Sequence, residues 1–370
     1  MKTLLTTTLM LVAALLSGCE RPPIDTVQRG YRGTAMVQVY NPRTLADQAA
    51  VNTAPEPLPP ASADGPKAKD VYQNVKVLGD LSVAQFARTM SAMTAWVAPQ
   101  QGCVYCHNAA NFAEDTLYTK VVARRMLQMT QAVNADWKPH VGNTGVTCYT
   151  CHRGNNIPTE IWFKPMEVAV SSFAGNRGGQ NAPAPAAGLA SLPGDPYTPF
   201  LLDALPIRVQ GTTALPDNNR SSIKQTEWTY ALMVHMSKSL GVNCSQCHNS
   251  RAFGSWENSS PPRVNAWYGI RMARELNNEY MVPLTSTFPA HRLGPTGDVA
   301  KVNCATCHQG AHKPLYGAPM LAAHPELQVK TGVDTPLAPA VAASAAVQAA
   351  DSRAIEILAK AAGGTAALSR

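Results

Sequence analysis

The chain has 370 residues, of which 45% are hydrophobic, 6% aromatic and 15% charged, with a formal net charge of +7. That length accommodates one or two globular domains with a sizeable core, and 25 glycines with 29 prolines promise much turn and loop. The positive balance is not gathered into a Lys/Arg-rich run, so nucleic-acid binding is not indicated.

Residues 1–18 read as a signal peptide: Lys2 gives a positive start and Leu4 to Leu16 an apolar stretch, shorter than the roughly 20 residues a membrane-spanning helix needs. It ends in Leu16-Ser17-Gly18-Cys19, which resembles a bacterial lipobox. Such a site places a diacylglycerol on Cys19, and two acyl chains anchor a protein stably where one does not. Residues 19–70 are proline-rich and aperiodic, so an extended segment is expected. Four helix-like runs follow, at about 83–97, 117–135, 224–240 and 265–281. Each precedes a cysteine motif, in the order helix, motif, helix, motif, twice over. The expected organisation is a first half at 71–165, a Gly/Pro/Ala-rich connecting segment at 166–221, a second half at 222–317 and an Ala-rich tail at 318–370. The tail has good helix propensity over 341–362 but no strong core face.

Nine cysteines are present. Beside Cys19, the other eight fall into four C-x-x-C-H motifs: Cys103/Cys106/His107, Cys148/Cys151/His152, Cys244/Cys247/His248 and Cys304/Cys307/His308. This is the attachment signature of c-type haem. The two sulfurs, one helical turn apart, reach the vinyl groups of one porphyrin as thioethers, and the histidine turns under the ring to bind iron. Zinc sites and disulfides use paired cysteines but give no reason for histidine after every pair. Four covalently bound haem c groups follow, in a mainly α fold with long loops and two pseudo-symmetric halves, each carrying a haem pair. Their propionates offset the positive charge of the polypeptide.

The sixth iron ligand decides between electron transfer and substrate chemistry. Met90, Met126 and Met233 stand 13, 22 and 11 residues before their motifs, each on a predicted helix. A thioether ligand raises haem potential relative to a second imidazole. Met93, Met129 and Met236 lie three positions further on nearly the same faces, so spacing leaves the register open. For the fourth haem a bare repeat argument selects Met272, with His140 as rival; His235, His291, His312 and His324 are also spare.

Several stretches carry a wider likeness: 72–80 (YQNVKVLGD), 96–103 (WVAPQQGC), 140–154 (HVGNTGVTCYTCHRG), 241–244 (GVNC) and 302–304 (VNC). Over roughly 19–317 the chain resembles the tetrahaem cytochrome subunit of purple-bacterial photosynthetic reaction centres. The resemblance implies axial pairs His107/Met90, His152/Met126 and His248/Met233. For the fourth haem it implies His308/His140, overriding Met272. It also supports lipidation at Cys19 and a place on the periplasmic face of the photosynthetic membrane, with reaction-centre subunits L and M, and H within the complex, as partners. The implied role is to carry electrons from a soluble periplasmic donor, a small c-type cytochrome or a high-potential iron–sulfur protein, to the photo-oxidised bacteriochlorophyll pair. The haems would form a near-linear chain, the third nearest the pair, then the fourth, second and first. No catalytic acid, base or nucleophile is called for. The rival readings are a periplasmic multihaem carrier of a respiratory chain and a multihaem reductase with an open iron.

Overall fold

The computed structural model describes residues 25–28, 37–166, 184–209 and 223–331. The signal peptide, Cys19 and the tail from 332 lie outside the described residues. Five longer helices dominate: α1 (Pro42–Val51), α2 (Val83–Val97), α3 (Tyr118–Asp136), α4 (Ile223–Leu240) and α5 (Pro262–Glu275). Strands are few and short. β1 (Asp25–Gln28) pairs antiparallel with β2 (Val37–Tyr40), and β3 (Ile161–Trp162) with β4 (Lys301–Val302).

The helix boundaries follow from local chemistry. Ser82 caps α2 by accepting from the Gln85 N–H at 3.1 Å, while Gln85 Oε1 accepts from the Ser82 N–H at 3.2 Å, a reciprocal capping box. Pro99 ends the same helix, because the residue before proline is pushed out of helical geometry. Pro262 at the start of α5 lacks only an N–H that has no partner in a first turn anyway. Beyond Glu275 the chain continues as a π-helical turn over Leu276–Met281. Predicted and observed helices therefore agree to within a few residues.

Three apolar clusters hold these helices. Trp96, Leu127, Leu321 and Leu327 pack around α2 and α3. Trp162, Phe200, Leu201, Leu232 and Ile270 pack around α4 and α5. Val133, Met272, Leu276 and Val302 join α3 to α5.

Three sequence expectations need correction. The 19–70 segment is not uniformly extended: Asn41 caps α1 by accepting from the Arg43 N–H, Pro42 opens the helix, and the buried Asn52 closes it. Part of the connecting segment belongs to the core. Phe200 and Leu201 are buried, and their carbonyls accept from Arg274 Nε and Asn277 Nδ2. The fold also runs past 317. Leu321, His324 and Leu327 are buried, and Gln131 on α3 exchanges hydrogen bonds with Thr331.

Candidate functional site

The four motifs adopt two local geometries. The first lies on a 3₁₀ turn (Gly102–Tyr105), and so does the third (Cys244–Gln246). The second and fourth lie on single α-turns, Cys148–His152 and Cys304–His308. In each α-turn a threonine hydroxyl, Thr150 or Thr306, accepts from the N–H of the cap residue, Thr147 or Asn303. Exposure follows the same division: Cys103 and Cys244 are exposed, Cys148 is buried and Cys304 mostly so. Burial pushes the thiols up, Cys106 and Cys247 to about 11, Cys148 and Cys304 to about 12.

Every motif histidine is anchored through the same ring atom. Nδ1 of His107 faces the Phe112 carbonyl at 3.0 Å, that of His152 the Asn155 carbonyl at 2.9 Å, that of His248 the Phe253 carbonyl at 2.9 Å and that of His308 the Ala311 carbonyl at 3.0 Å. A carbonyl only accepts, so Nδ1 carries the proton and Nε2 keeps its lone pair. That is the tautomer and orientation a metal-ligating imidazole needs. Burial lowers the pKa of His152 and His248. Burial and then the neighbouring His140 take His308 down to about 4.

His140 shares this anchor: its Nδ1 faces the Asn265 carbonyl at 2.8 Å. Its ring stands 6.1 Å from that of His308, centroid to centroid. Metal–imidazole bonds of about 2 Å put two rings on opposite sides of one metal at about this separation. The other spare histidines are placed differently. His235 uses both nitrogens, with Tyr197 Oη and Ser239 Oγ each at 3.2 Å. His324 is buried with Nδ1 on Glu326 Oε1 at 2.9 Å and its ring edge against Trp96. Among the described residues, no group of three or more His, Cys, Asp or Glu side chains forms a metal-binding cluster without a prosthetic group.

A cavity of about 1190 Å³ runs through the molecule, lined by residues of the first, second and fourth motifs, by His140, and by Met90, Met93, Met126, Met129, Met236 and Met272. Single-ligand pockets span roughly 300–1,000 Å³, so this volume exceeds what one bound group needs. Met233 and the third motif are not on this cavity. Met233 packs instead beside Leu232 and Trp162.

The helix registers, open from spacing, are tied down by two recurring contacts. Gly154, two residues after His152, donates its N–H to the Trp96 carbonyl at 2.9 Å; Gly310, two after His308, donates to the Ser239 carbonyl at 2.8 Å. Six residues before Trp96 stands Met90, and six before Ser239 stands Met233. These two methionines therefore share one register, and Met93 shares the other with Met236. The second contact is an asparagine clamp. Asn134 donates Nδ2–H to the Val146 carbonyl at 2.9 Å while its Oδ1 accepts from the Val146 N–H at 2.7 Å. Asn277 makes the same pair with Val302, at 2.9 and 2.8 Å. Met129 and Met272 each lie five residues before their clamp, and both pack in one apolar cluster. The repeat thus matches Met272 with Met129 and not with Met126.

The second and fourth motifs also touch each other. Arg153 Nη2 donates to the Cys307 carbonyl at 3.0 Å, and Gln309 Nε2 to the Cys151 carbonyl at 3.3 Å. The stacking of the two α-turns brings the second cysteine of each motif to one point, the Cα atoms of Cys151 and Cys307 standing 4.5 Å apart.

The residues fit covalent haem: paired thiols, anchored imidazoles and a largely apolar cavity lie together. Sequence reading missed the asparagine clamps and the Arg153–Gln309 exchange. The signal available for the clamps was a Val-x-Cys before each motif, Val146 and Val302, matched to an Asn near each helix end.

Comparison with known proteins agrees. Residues 20–328 match the family described as photosynthetic reaction centre cytochrome C subunit. The chain is 59% identical over 339 residues to the photosynthetic reaction center cytochrome c subunit of Rubrivivax gelatinosus, covering 91% of this chain and 90% of that one. It is 49% identical to the Thermochromatium tepidum protein of the same name, covering 92% and 84%, and 42% identical to that of Roseobacter denitrificans, covering 85% and 88%.

Proposed function

This chain belongs to the photosynthetic reaction centre cytochrome c subunit family, an electron-transfer subunit with covalently bound c-type haem, and from that premise we propose a four-haem relay with a specific ligand set. Cys103/Cys106, Cys148/Cys151, Cys244/Cys247 and Cys304/Cys307 hold the porphyrins. His107 with Met90, His152 with Met126, His248 with Met233 and His308 with His140 hold the irons. Each haem, when bound, supplies a one-electron couple. The chain takes electrons from a soluble periplasmic donor, a small c-type cytochrome or a high-potential iron–sulfur protein. It delivers them to the photo-oxidised bacteriochlorophyll pair held by subunits L and M, with H completing the complex.

The observation that carries this reading is the shared Nδ1–carbonyl anchor, which leaves Nε2 of all four motif histidines and of His140 as the donor atom. Met236 lines the cavity that the fourth motif shares and the third does not, which supports Met233 for the third iron. The contact between the second and fourth motifs supports neighbouring places for those haems, and the exposed first and third motifs support the outer places. The protein's own work is to hold porphyrin edges close, keep water from the inner pair and set potentials through the axial ligands. The recurrence of motif geometry, glycine bond and asparagine clamp supports two related halves.

Loading uses Cys151 and Cys307 as thiols, and the mature protein carries thioethers there. Among the described residues no helix is long and apolar enough to cross a membrane. A diacylglycerol at Cys19 would hold the chain on the periplasmic face. The test is flash illumination of the purified complex together with the mass of the mature chain. Four attached haems and flash-induced haem oxidation are expected. Fewer haems, or none oxidised by the flash, would refute the proposal.

A further inference from the structure

We propose that Gly269 is the position that selects a second histidine, in place of methionine, as sixth ligand of the fourth haem; the inference rests on the four-haem reading above. The asparagine clamps align α3 with α5 residue by residue. Eight positions before Asn134 stands Met126, and eight before Asn277 stands Gly269. Flanking positions agree: Leu127 and Ile270 are both buried, as are Val133 and Leu276. The place that offers a thioether in the first half is therefore filled in the second by a residue with no side chain.

What takes the space is His140. A Cβ added at Gly269 would lie 2.6 Å from His140 Cε1 and 3.1 Å from both ring nitrogens, closer than non-bonded atoms tolerate. One helical turn earlier on the same face, the Asn265 carbonyl holds His140 Nδ1. Helix α5 thus supplies an anchor and a notch at i and i+4, and His140 comes from the short turn Lys138–Val141 behind α3 to fill it. The turn after α3 delivers the ligand, and the absence of a side chain admits it. Because a thioether raises haem potential relative to an imidazole, Gly269 also sets the fourth haem below its neighbours.

The test uses the full reaction-centre complex carrying wild type, Gly269→Ala, Gly269→Met, His140→Ala and the double variant His140→Ala/Gly269→Met. Mass counts the attached haems, low-temperature paramagnetic resonance and near-infrared magnetic circular dichroism report ligand type, and a redox titration gives the four midpoints. Gly269→Ala is expected to shift the bis-histidine signal. Gly269→Met is expected to replace that signal with a histidine/methionine one and raise one midpoint, the other three unmoved. His140→Ala leaves one haem high-spin, and the double variant restores it to low spin with methionine ligation. A purely structural glycine would not exchange one ligand signature for another. The inference is overturned if Gly269→Ala and Gly269→Met retain the wild-type bis-histidine signal and midpoint, or if the double variant stays high-spin. If Gly269→Met does not accumulate, the alanine and double variants decide. A wild type with fewer than four haems, or with none held by two imidazoles, overturns both this inference and the reading it rests on.

Discussion

Helices α3 and α5 do the same structural task with different contents. Each leads into an asparagine that clamps the backbone just ahead of a C-x-x-C-H turn, Asn134 in the last turn of α3 and Asn277 in the π-helical turn after α5, and each buries apolar residues at the same flanking positions. Yet α3 carries Met126 where α5 carries Gly269. On the ligand set proposed above, the difference means that the scaffold fixes where a sixth ligand stands, while one position on the helix decides which element supplies it. Ligand chemistry, and with it potential, is changed without altering how the motif is held.

The comparison breaks first if the two clamps are not energetically alike. Asn277 is fully buried, and Asn134 nearly so. Asn134→Leu leaves the Val146 N–H and carbonyl and the Leu327 carbonyl short of partners. Asn277→Leu strands the Val302 N–H and the Leu201 carbonyl, while Trp162 Nε1 still serves the Val302 carbonyl. At about 1–3 kcal/mol for each buried group left unpaired, denaturant unfolding of the haem-loaded protein should show a loss of roughly 2–6 kcal/mol for Asn277→Leu and roughly 3–9 kcal/mol for Asn134→Leu. A loss under about 1 kcal/mol in either would remove the clamp as a common device and loosen the alignment built on it.

Much of this was legible before any coordinates. The helix-like runs lie close to the observed helices because boundary residues such as Ser82, Pro99 and Pro262 act within a turn of where they sit. The motif histidines came from invariant chemistry, since two thioethers and an iron ligand leave little freedom in spacing. The register of the methionines was not legible. Met90 and Met93 are both partly buried on one face, and only contacts between distant segments, such as Gly154 to Trp96 and Gly310 to Ser239, distinguish their roles. Residues 318–331 were assigned to a tail because their alanines mask Leu321 and Leu327, and the partners of the Glu326 and Leu327 carbonyls lie almost 200 positions earlier on α3. His140 stood in the sequence as a rival to Met272, and only family likeness chose it; its partner Gly269 left no signal, because a glycine inside a helix reads as a weakness rather than a seat.

The contact between the second and fourth motifs sharpens the comparison at a smaller scale. Arg153 and Gln309 both hold left-handed backbone, at φ 50° and 45°, and each reaches across to the other turn. Arg153 does more: it also serves the Thr150 and Val51 carbonyls, and burial lowers its pKa to about 10. Arg153→Met, measured by thermal or denaturant unfolding, should cost about 2–4 kcal/mol through several charge-assisted bonds, and Gln309→Leu about 1 kcal/mol. Equal costs would mean that the two turns are held symmetrically and that the arginine's extra contacts contribute nothing.

The smallest effect on stability carries the most information about ligation. Met233→Leu and Met236→Leu are both volume-conserving and should each cost less than about 1.5 kcal/mol. On the proposed ligand set only the first of them reaches an iron. Met233 shares the register of Met90, while Met236 shares that of Met93 and lines the cavity of the fourth motif. Leucine at 233 should therefore leave one haem without its thioether, seen as loss of one histidine/methionine signal and a fall in one midpoint potential. Leucine at 236 should leave all four signals in place. The reverse outcome would move the third iron's ligand one turn along α4 and, through the shared register, would move the first iron's ligand from Met90 to Met93 as well.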